Sequence, residues 1–280
     1  MTRVLLIGGS GQLGTAIAKR WNDCKIVAPP RADLELGSYE QLRAALERAC
    51  PEVLVNAAAF HDVDCCEEQP ERAFEINAVA VGKAAALARE RNVVFVTIST
   101  DYVFDGAATL PYSEDDAPHP LSVYGASKLA GEYLTQHLGE RAFVVRTCGL
   151  YGAAAPGNRR RSFIERILTH EAQAGPLRVV ADVIASPTFA GDLADALRRL
   201  IETDSYGLYH AVNVGAVSWY EFACEAVRQA GAELTIEPIA AADWHARAAR
   251  PRFSALENAR LGCLGIAMPS WRAGITGYLR

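Results

Sequence analysis

Lysine is scarce in this chain, with only four among 280 residues, and methionine occurs twice. No apolar run approaches the roughly 20 residues that a membrane-spanning helix needs. Basic charge is also in deficit. Lys and Arg number 28 against 33 Asp and Glu, a net charge of −5, so the basic face of a dedicated nucleic-acid binder is missing. There is no CxxC pair. The seven cysteines, at 24, 50, 65, 66, 148, 224 and 263, are odd in number and scattered, which excludes a secreted disulfide framework and a zinc ribbon. They read as small buried or half-buried residues in a reducing compartment. The first residues, Met1-Thr2-Arg3, lead into a short apolar run ended by glycine, without the longer stretch and cleavage site of a signal peptide. The expected location is the cytoplasm, with neither nucleic acid nor membrane as partner.

What is present is an ordinary globular composition, 50% hydrophobic and 22% charged. Over the first 150 residues, short β-branched runs alternate with helical stretches. Val4–Ile7, Lys25–Ala28, Val53–Asn56, Val93–Ser99 and Ala142–Arg146 read as strands apolar on both faces, as strands between two helix layers must be. Gln12–Trp21, a segment from Ser38 to about Cys50 with capping-box spacing, Pro70–Arg91 and Tyr124–Leu138 read as helices. This alternation predicts an α/β fold, a Rossmann-type doubly wound parallel sheet. After 150 the rhythm loosens. Strands at Arg178–Val180, Leu208–His210 and Leu234–Ile239 intersperse with helices at Phe163–Gln173, Thr188–Glu202, Ser218–Ala230 and Trp271–Leu279. Residues 1–150 are read as an NAD(P)-binding domain and 151–280 as a smaller substrate lobe. The boundary is soft, because such lobes often lend a strand to the main sheet.

Three groups of residues carry chemistry. The first is Gly8-Gly9-Ser10-Gly11-Gln12-Leu13-Gly14, between the first strand and first helix. Gly8 permits the turn, Gly11 lets backbone approach a pyrophosphate, and Gly14 packs helix on strand at a helix N-terminus that favours phosphate. The second is the tip of the second strand, which reads the adenosine ribose. No carboxylate stands there and Arg31 follows at once, pointing to NADPH; Asp33, two residues on, keeps NADH open. The third is Tyr124-Gly125-Ala126-Ser127-Lys128 at the start of a helix, where positions i and i+4 share a face. An ammonium near the phenol favours its ionised form and can hydrogen-bond the nicotinamide ribose. Upstream, Ser99-Thr100-Asp101-Tyr102 ends a buried strand, the edge where doubly wound sheets bind ligands, so a hydroxyl there can hold a carbonyl while Tyr124 protonates it. The small side chains Ala57, Ala58 and Ala59 after Asn56 would let adenine and phosphates lie against backbone. Asn77, inside the long helix, either supports a kink or a water near the site or is a surface polar residue.

With these residues in place, the chain resembles the extended short-chain dehydrogenase/reductase family, and within it the dTDP-4-dehydrorhamnose reductases and their sugar-nucleotide-binding relatives. The likeness covers nearly the whole length. It runs through Gly11–Gly14, Arg31-Ala32-Asp33-Leu34, Asn56-Ala57-Ala58, Val63-Asp64, Ser99–Gly106 and Tyr124–Glu132. It continues through Arg146-Thr147, Leu150-Tyr151-Gly152, Ser186-Pro187-Thr188, Gly207–His210, Ser218–Phe222 and Arg250-Pro251. The resemblance implies hydride transfer from NAD(P)H to the 4-keto group of a dTDP-6-deoxyhexulose, with Thr100, Tyr124 and Lys128 catalytic. Cofactor contacts are expected from Gly8, Gly11, Gln12, Leu13, Gly14, Arg31, Asp33, Leu34, Ala57, Ala58, Ala59, Asn77, Ser99, Tyr124 and Lys128. Substrate contacts are expected from Thr100, Asp101, Tyr102, Tyr124, Cys148 and Arg252. The expected partner is a nucleotide sugar, with a homodimer left open.

Three departures fall in the substrate half. Gly149 stands where the family usually has a tryptophan, Arg250-Pro251-Arg252-Phe253-Ser254 replaces Arg-Pro-x-Asn-Ser, and Ala185 replaces a glycine. They keep open a nucleotide-sugar epimerase or a reductase of another ketone. A cofactor-binding regulatory subunit is the alternative outside enzymes. The crowd at His61, Asp62, Asp64, Cys65, Cys66, Glu67 and Glu68 suggests a metal, but adjacent cysteines do not easily ligate one tetrahedral ion. A loop rimming the pocket, with Phe60 and His61 against substrate, is the expectation. Arg159-Arg160-Arg161 reads as a solvated charge run opening a helix, with a pyrophosphate clamp as the alternative.

Overall fold

The computed structural model describes residues 1–156, 162–170, 175–244 and 246–280. Six parallel strands form the central sheet in the order β2-β1-β3-β4-β5-β8. They are β1 Thr2–Ile7, β2 Cys24–Val27, β3 Val53–Asn56, β4 Val94–Thr100, β5 Ala142–Thr147 and β8 Gly207–His210. The strand order reverses at β1, whose neighbours on its two sides are β2 and β3. β8 comes from the second half of the chain and pairs in parallel with β5, Phe143 opposite Gly207 and Arg146 opposite His210.

Side-chain alternation divides the interior in two. Val4, Leu6, Val55, Val96 and Val145 point to one face, where they meet Ile17 and Trp21 of α1 (Gln12–Arg20) and Leu193 and Leu197 of α8 (Ala190–Leu200). Leu5, Ile7, Leu54 and Phe95 point to the other, onto α2 (Tyr39–Ala49) and α5 (Ala80–Glu90). A strand with apolar residues at every position therefore serves two helix layers at once. β1 carries this to completion, its last four residues being fully buried.

The long helix expected over Pro70–Arg91 is broken. α4 (Pro70–Phe74) runs into a π turn over Glu75–Val79 before α5 begins. Asn77 lies in this wider turn, its side-chain amide accepting from Phe60 N (2.8 Å) and donating to Phe60 O (2.9 Å) and Ser127 Oγ (3.0 Å). The segment expected as a rim loop contains a helix, α3 (Val63–Glu68), capped by Asp62, which accepts from Cys65 N. Only six residues long, it is held by tertiary pairs rather than propensity. Glu67 accepts from Val123 N at the head of α6 (Val123–Leu138), and Asp64 pairs with Arg250.

In the second half, α7 (Phe163–Leu168), β6 (Leu177–Val180), α9 (Trp219–Ala230) and β10 (Ile236–Ile239) pack together, β6 pairing with β10. The two-residue strands β7 (Ile184–Ala185) and β9 (Val217–Ser218) and the short α10 (Ala259–Cys263) carry no periodic sequence signal, whereas α11 (Trp271–Leu279) stands where expected. α9 opens with a full capping box, Ser218 and Glu221 bonding reciprocally. The Arg159–Arg161 run lies outside the described residues, as does 171–174 beyond α7. No helix among the described residues is long and apolar enough to cross a membrane.

Candidate active site

The glycine loop and the carboxyl ends of β1, β2 and β3 enclose a cleft of about 680 Å³. Gly8, Gly9 and Ser10 form one wall, Ala28 to Arg31 and Leu34 a second, and Ala58 to His61 a third. Gly8 sits at φ 82°, and a Cβ there would lie 2.8 Å from Ala58 N. At Gly14 a Cβ would lie 2.3 Å from Gly8 O, so α1 can stand this close to the turn only with hydrogen at that position. Gly11 caps α1 and its amide closes the turn onto Gly8 O at 3.0 Å. A helix N-terminus opening beside a glycine-walled cleft of this size fits a dinucleotide.

α6 lays Tyr124 and Lys128 on one face against the carboxyl end of β4. Tyr124 is hydrogen-bonded to the Thr100 hydroxyl, and Lys128 Nζ donates to Ile98 O at 2.6 Å. Asn77 and Ser127 tie this face to the cleft, since Asn77 bonds both Phe60 and Ser127 and Ser127 Oγ donates to Tyr124 O.

The electrostatics differ from expectation. An ammonium was expected to draw the phenol's pKa down, but burial pushes Tyr124 well above its ordinary value, with Asp101 adding to the rise and Thr100 opposing it. Burial brings Lys128 down to about 8, and Glu132 works against that fall. Lys128 itself is engaged with Ile98 O, and the nearby Glu132 favours its charged form. The phenol is protonated at neutral pH, the form a proton donor requires.

The remaining expected residues sort into those at the cleft and those that brace it. Gly8, Arg31, Leu34, Ala58 and Ala59 line it, together with Phe60 and His61. Arg31 is 74% exposed and pairs with Glu35 at 2.5 Å, and Glu35 lines the cleft too. Leu13 is buried in the core under α1, Ala57 is tied to Ile7 O, and Asp33 is exposed in the turn its amide makes with Pro30 O. Ser99 donates to Glu132 Oε1 at 2.5 Å and Asn77 is fully sequestered, so neither presents its side chain to the cleft. Both act from behind it.

On the substrate side, Asp101 turns inward. Thr100 Oγ1 and Cys148 Sγ each donate to its carboxyl at 3.0 Å, and burial raises its pKa. Asp101 and Cys148 thus buttress Thr100 from below, where sugar contacts were expected. Tyr102 lies edge-on to Tyr124, ring centroids 5.9 Å apart, with Arg250 beside it. Arg252 is 71% exposed, 3.9 Å from Asp182, and is not brought to this group. The crowd at 61–68 staples elements together. Besides the Asp62 cap and the Glu67 bond, Asp64 receives Arg250 and the amides of Arg247 and Ala248, and Glu68 pairs with Arg247.

Sequence reasoning missed two features. Where a side chain at Gly149 would stand, the Trp219 indole already stands, its Cη2 2.6 Å from the Cβ position, so α9 supplies an aromatic where the β5 loop has none. The second is the buried Glu132–Arg146 pair (2.7 Å) behind Lys128. Its only sequence signal is Glu132 four residues after Lys128.

The family model described as the RmlD substrate binding domain matches residues 1–280. The chain belongs to this family. Among its relatives, the spore coat polysaccharide biosynthesis protein SpsK of Bacillus subtilis is 33% identical, covering 100% of this chain and 98% of its own. A dTDP-4-dehydrorhamnose reductase of Aggregatibacter actinomycetemcomitans is 33% identical over 98% and 97%. Among solved structures, dTDP-4-dehydrorhamnose reductase from Bacillus anthracis in complex with NADP superposes with a TM-score of 0.94 at 32% identity, over 99% of this chain and 98% of that one. UDP-glucose 4-epimerase of Thermus thermophilus, at 21% identity and a TM-score of 0.80, shares the Rossmann-type fold.

Proposed function

We propose that the protein is an NADPH-dependent reductase of the 4-keto group of a dTDP-linked 6-deoxyhexulose. The observation that carries this reading is Tyr124 on Thr100 and Lys128 on Ile98, both at the carboxyl end of β4 and tied through Asn77 and Ser127 to a dinucleotide-sized cleft. The family and the NADP complex of the Bacillus anthracis relative support it. Arg31 on the cleft wall supports NADPH, as the charge for a 2′-phosphate. When bound, the nicotinamide supplies the hydride.

The protein's own groups do the rest. Thr100, by turning its hydroxyl from Asp101, would orient the keto oxygen by hydrogen bonding. Tyr124, held protonated by burial, gives its proton to that oxygen as charge develops there. Lys128 holds the nicotinamide ribose and offsets the phenolate left behind. Tyr102 and Trp219 offer aromatic surface to the sugar. The odd number and scattered positions of the seven cysteines support a reducing, cytoplasmic setting. A regulatory subunit would have no use for the Tyr124–Thr100 contact.

The test is NADPH oxidation with dTDP-4-keto-6-deoxyhexoses beside simple ketones. Turnover confined to the nucleotide sugars is the expected result. Turnover of simple ketones alone would remove the nucleotide-sugar assignment.

A further inference from the structure

Behind Lys128 lies a chain of buried polar groups that the reaction as described does not use. Glu132 follows Lys128 by one turn of α6, on the same face. It is 2% exposed, and three hydrogen bonds from two neighbours fix its carboxylate. Ser99 Oγ donates to Oε1 at 2.5 Å, while Arg146 of β5 grips both oxygens, Nε to Oε1 at 2.9 Å and Nη2 to Oε2 at 2.7 Å. Arg146 is held in turn. Its guanidinium lies 5.1 Å over the Phe104 ring, and Nη1 meets His210 Nε2 at 3.4 Å. An arginine can only donate, so Nε2 accepts. The His210 proton therefore sits on Nδ1, facing the carbonyls of Tyr112 and Glu257, each at 3.1 Å. His210 is thus neutral, and burial keeps it so.

A carboxylate fixed this firmly has a job beyond balancing one arginine. The cluster holds two cations, Lys128 and Arg146, and one anion. Arg146 could not release its charge, whereas a buried lysine readily gives up its proton. We propose that Glu132 is a positioning residue for the reduction: clamped by Ser99 and Arg146, it is the counter-charge that keeps Lys128 an ammonium, one turn of α6 from Tyr124. This rests on the reductase reading for its purpose but not for its physics. The other titratable groups nearby are Tyr124 on α6 itself, with Asp101 and Cys66 beside it, and His210 of β8 beside Arg146. The first three are uncharged or hold their protons more tightly than usual, and His210 is neutral. None of them can substitute for Glu132.

Electrostatics gives the two halves of the pair opposite effects. Removing the Glu132 charge leaves Lys128 facing the Arg146 cation, and its proton is lost at lower pH. Removing the Arg146 charge leaves Glu132 to Lys128 alone, and the proton is kept to higher pH. Simple structural damage has no reason to produce opposite signs.

The chain's four lysines make the test direct. In protein labelled with 13C at lysine Cε, only four side-chain signals titrate, and Lys128→Met identifies the one of interest. In the native protein that signal should have its midpoint near pH 8. Glu132→Gln should lower the midpoint by about one pH unit and Arg146→Met should raise it by a similar amount. Glu132→Asp, which keeps the charge, should restore most of the native value. The alkaline fall in NADPH-dependent turnover should follow each midpoint. A native midpoint near 10.5, or equal midpoints in native protein and Glu132→Gln, overturns the proposal. If Glu132→Gln fails to fold, Arg146→Met and Glu132→Asp decide it, a downward shift or none in Arg146→Met being fatal. Lysine midpoints that move as described while no nucleotide sugar is turned over would uphold the Glu132 role and refute the reductase reading.

Discussion

Replacing Tyr124 with phenylalanine removes one oxygen and tests the proton-donor assignment at its centre. The ring keeps its edge-on contact with Tyr102, and the loss to folding is a single hydrogen bond with Thr100, about 1 kcal/mol. The loss to chemistry should be far larger. A positioned general acid contributes roughly 10²- to 10⁴-fold, about 3–5 kcal/mol of transition-state stabilisation. Burial holds the Tyr124 proton well above the usual phenolic range, so the native donor is fully loaded at neutral pH and the whole factor is at stake. The assay pairs stopped-flow NADPH oxidation with fluorescence titration of NADPH. Turnover should fall at least a hundredfold while cofactor affinity stays within about twofold. Retained turnover would mean that another group delivers the proton. A parallel loss of cofactor affinity would mean that the phenol's role is binding.

Other substitutions probe the cleft. Gly14→Ala places a methyl 2.3 Å from Gly8 O and 2.6 Å from Gly9 Cα, both backbone atoms that cannot swing aside. Overpacking of this kind costs about 1–3 kcal/mol, and thermal denaturation with a cofactor titration should show a lower Tm and weakened NADPH binding together. Native values for both would mean that the loop relaxes freely. Arg31→Ala should weaken NADPH roughly tenfold and leave NADH unchanged, whereas Glu35→Ala, by freeing Arg31 from its 2.5 Å ion pair, should strengthen NADPH. Equal affinities across all three proteins would show that Arg31 reads nothing.

The sheet and its glycine loop were legible before any coordinates because their signals are local. A strand apolar at every position is compatible with only one environment, a layer between helices, and Val4–Ile7 and Val53–Asn56 prove to lie there. The Tyr124–Lys128 face was likewise settled by helical pitch. Tertiary structure decided the rest, because it depends on residues far apart in the chain. The π turn at Asn77 is bonded to Phe60 and Ser127, and α3 persists through Val123 and Arg250. Asp101 and Ser99 turn inward because Cys148 and Glu132 await them there. The indole above Gly149 comes from a helix seventy residues on. Protonation states belong to this second class entirely. The sequence by itself named the phenol and the ammonium, but burial and the Glu132–Arg146 pair, assembled from β4, α6, β5 and β8, decide which protons each group carries.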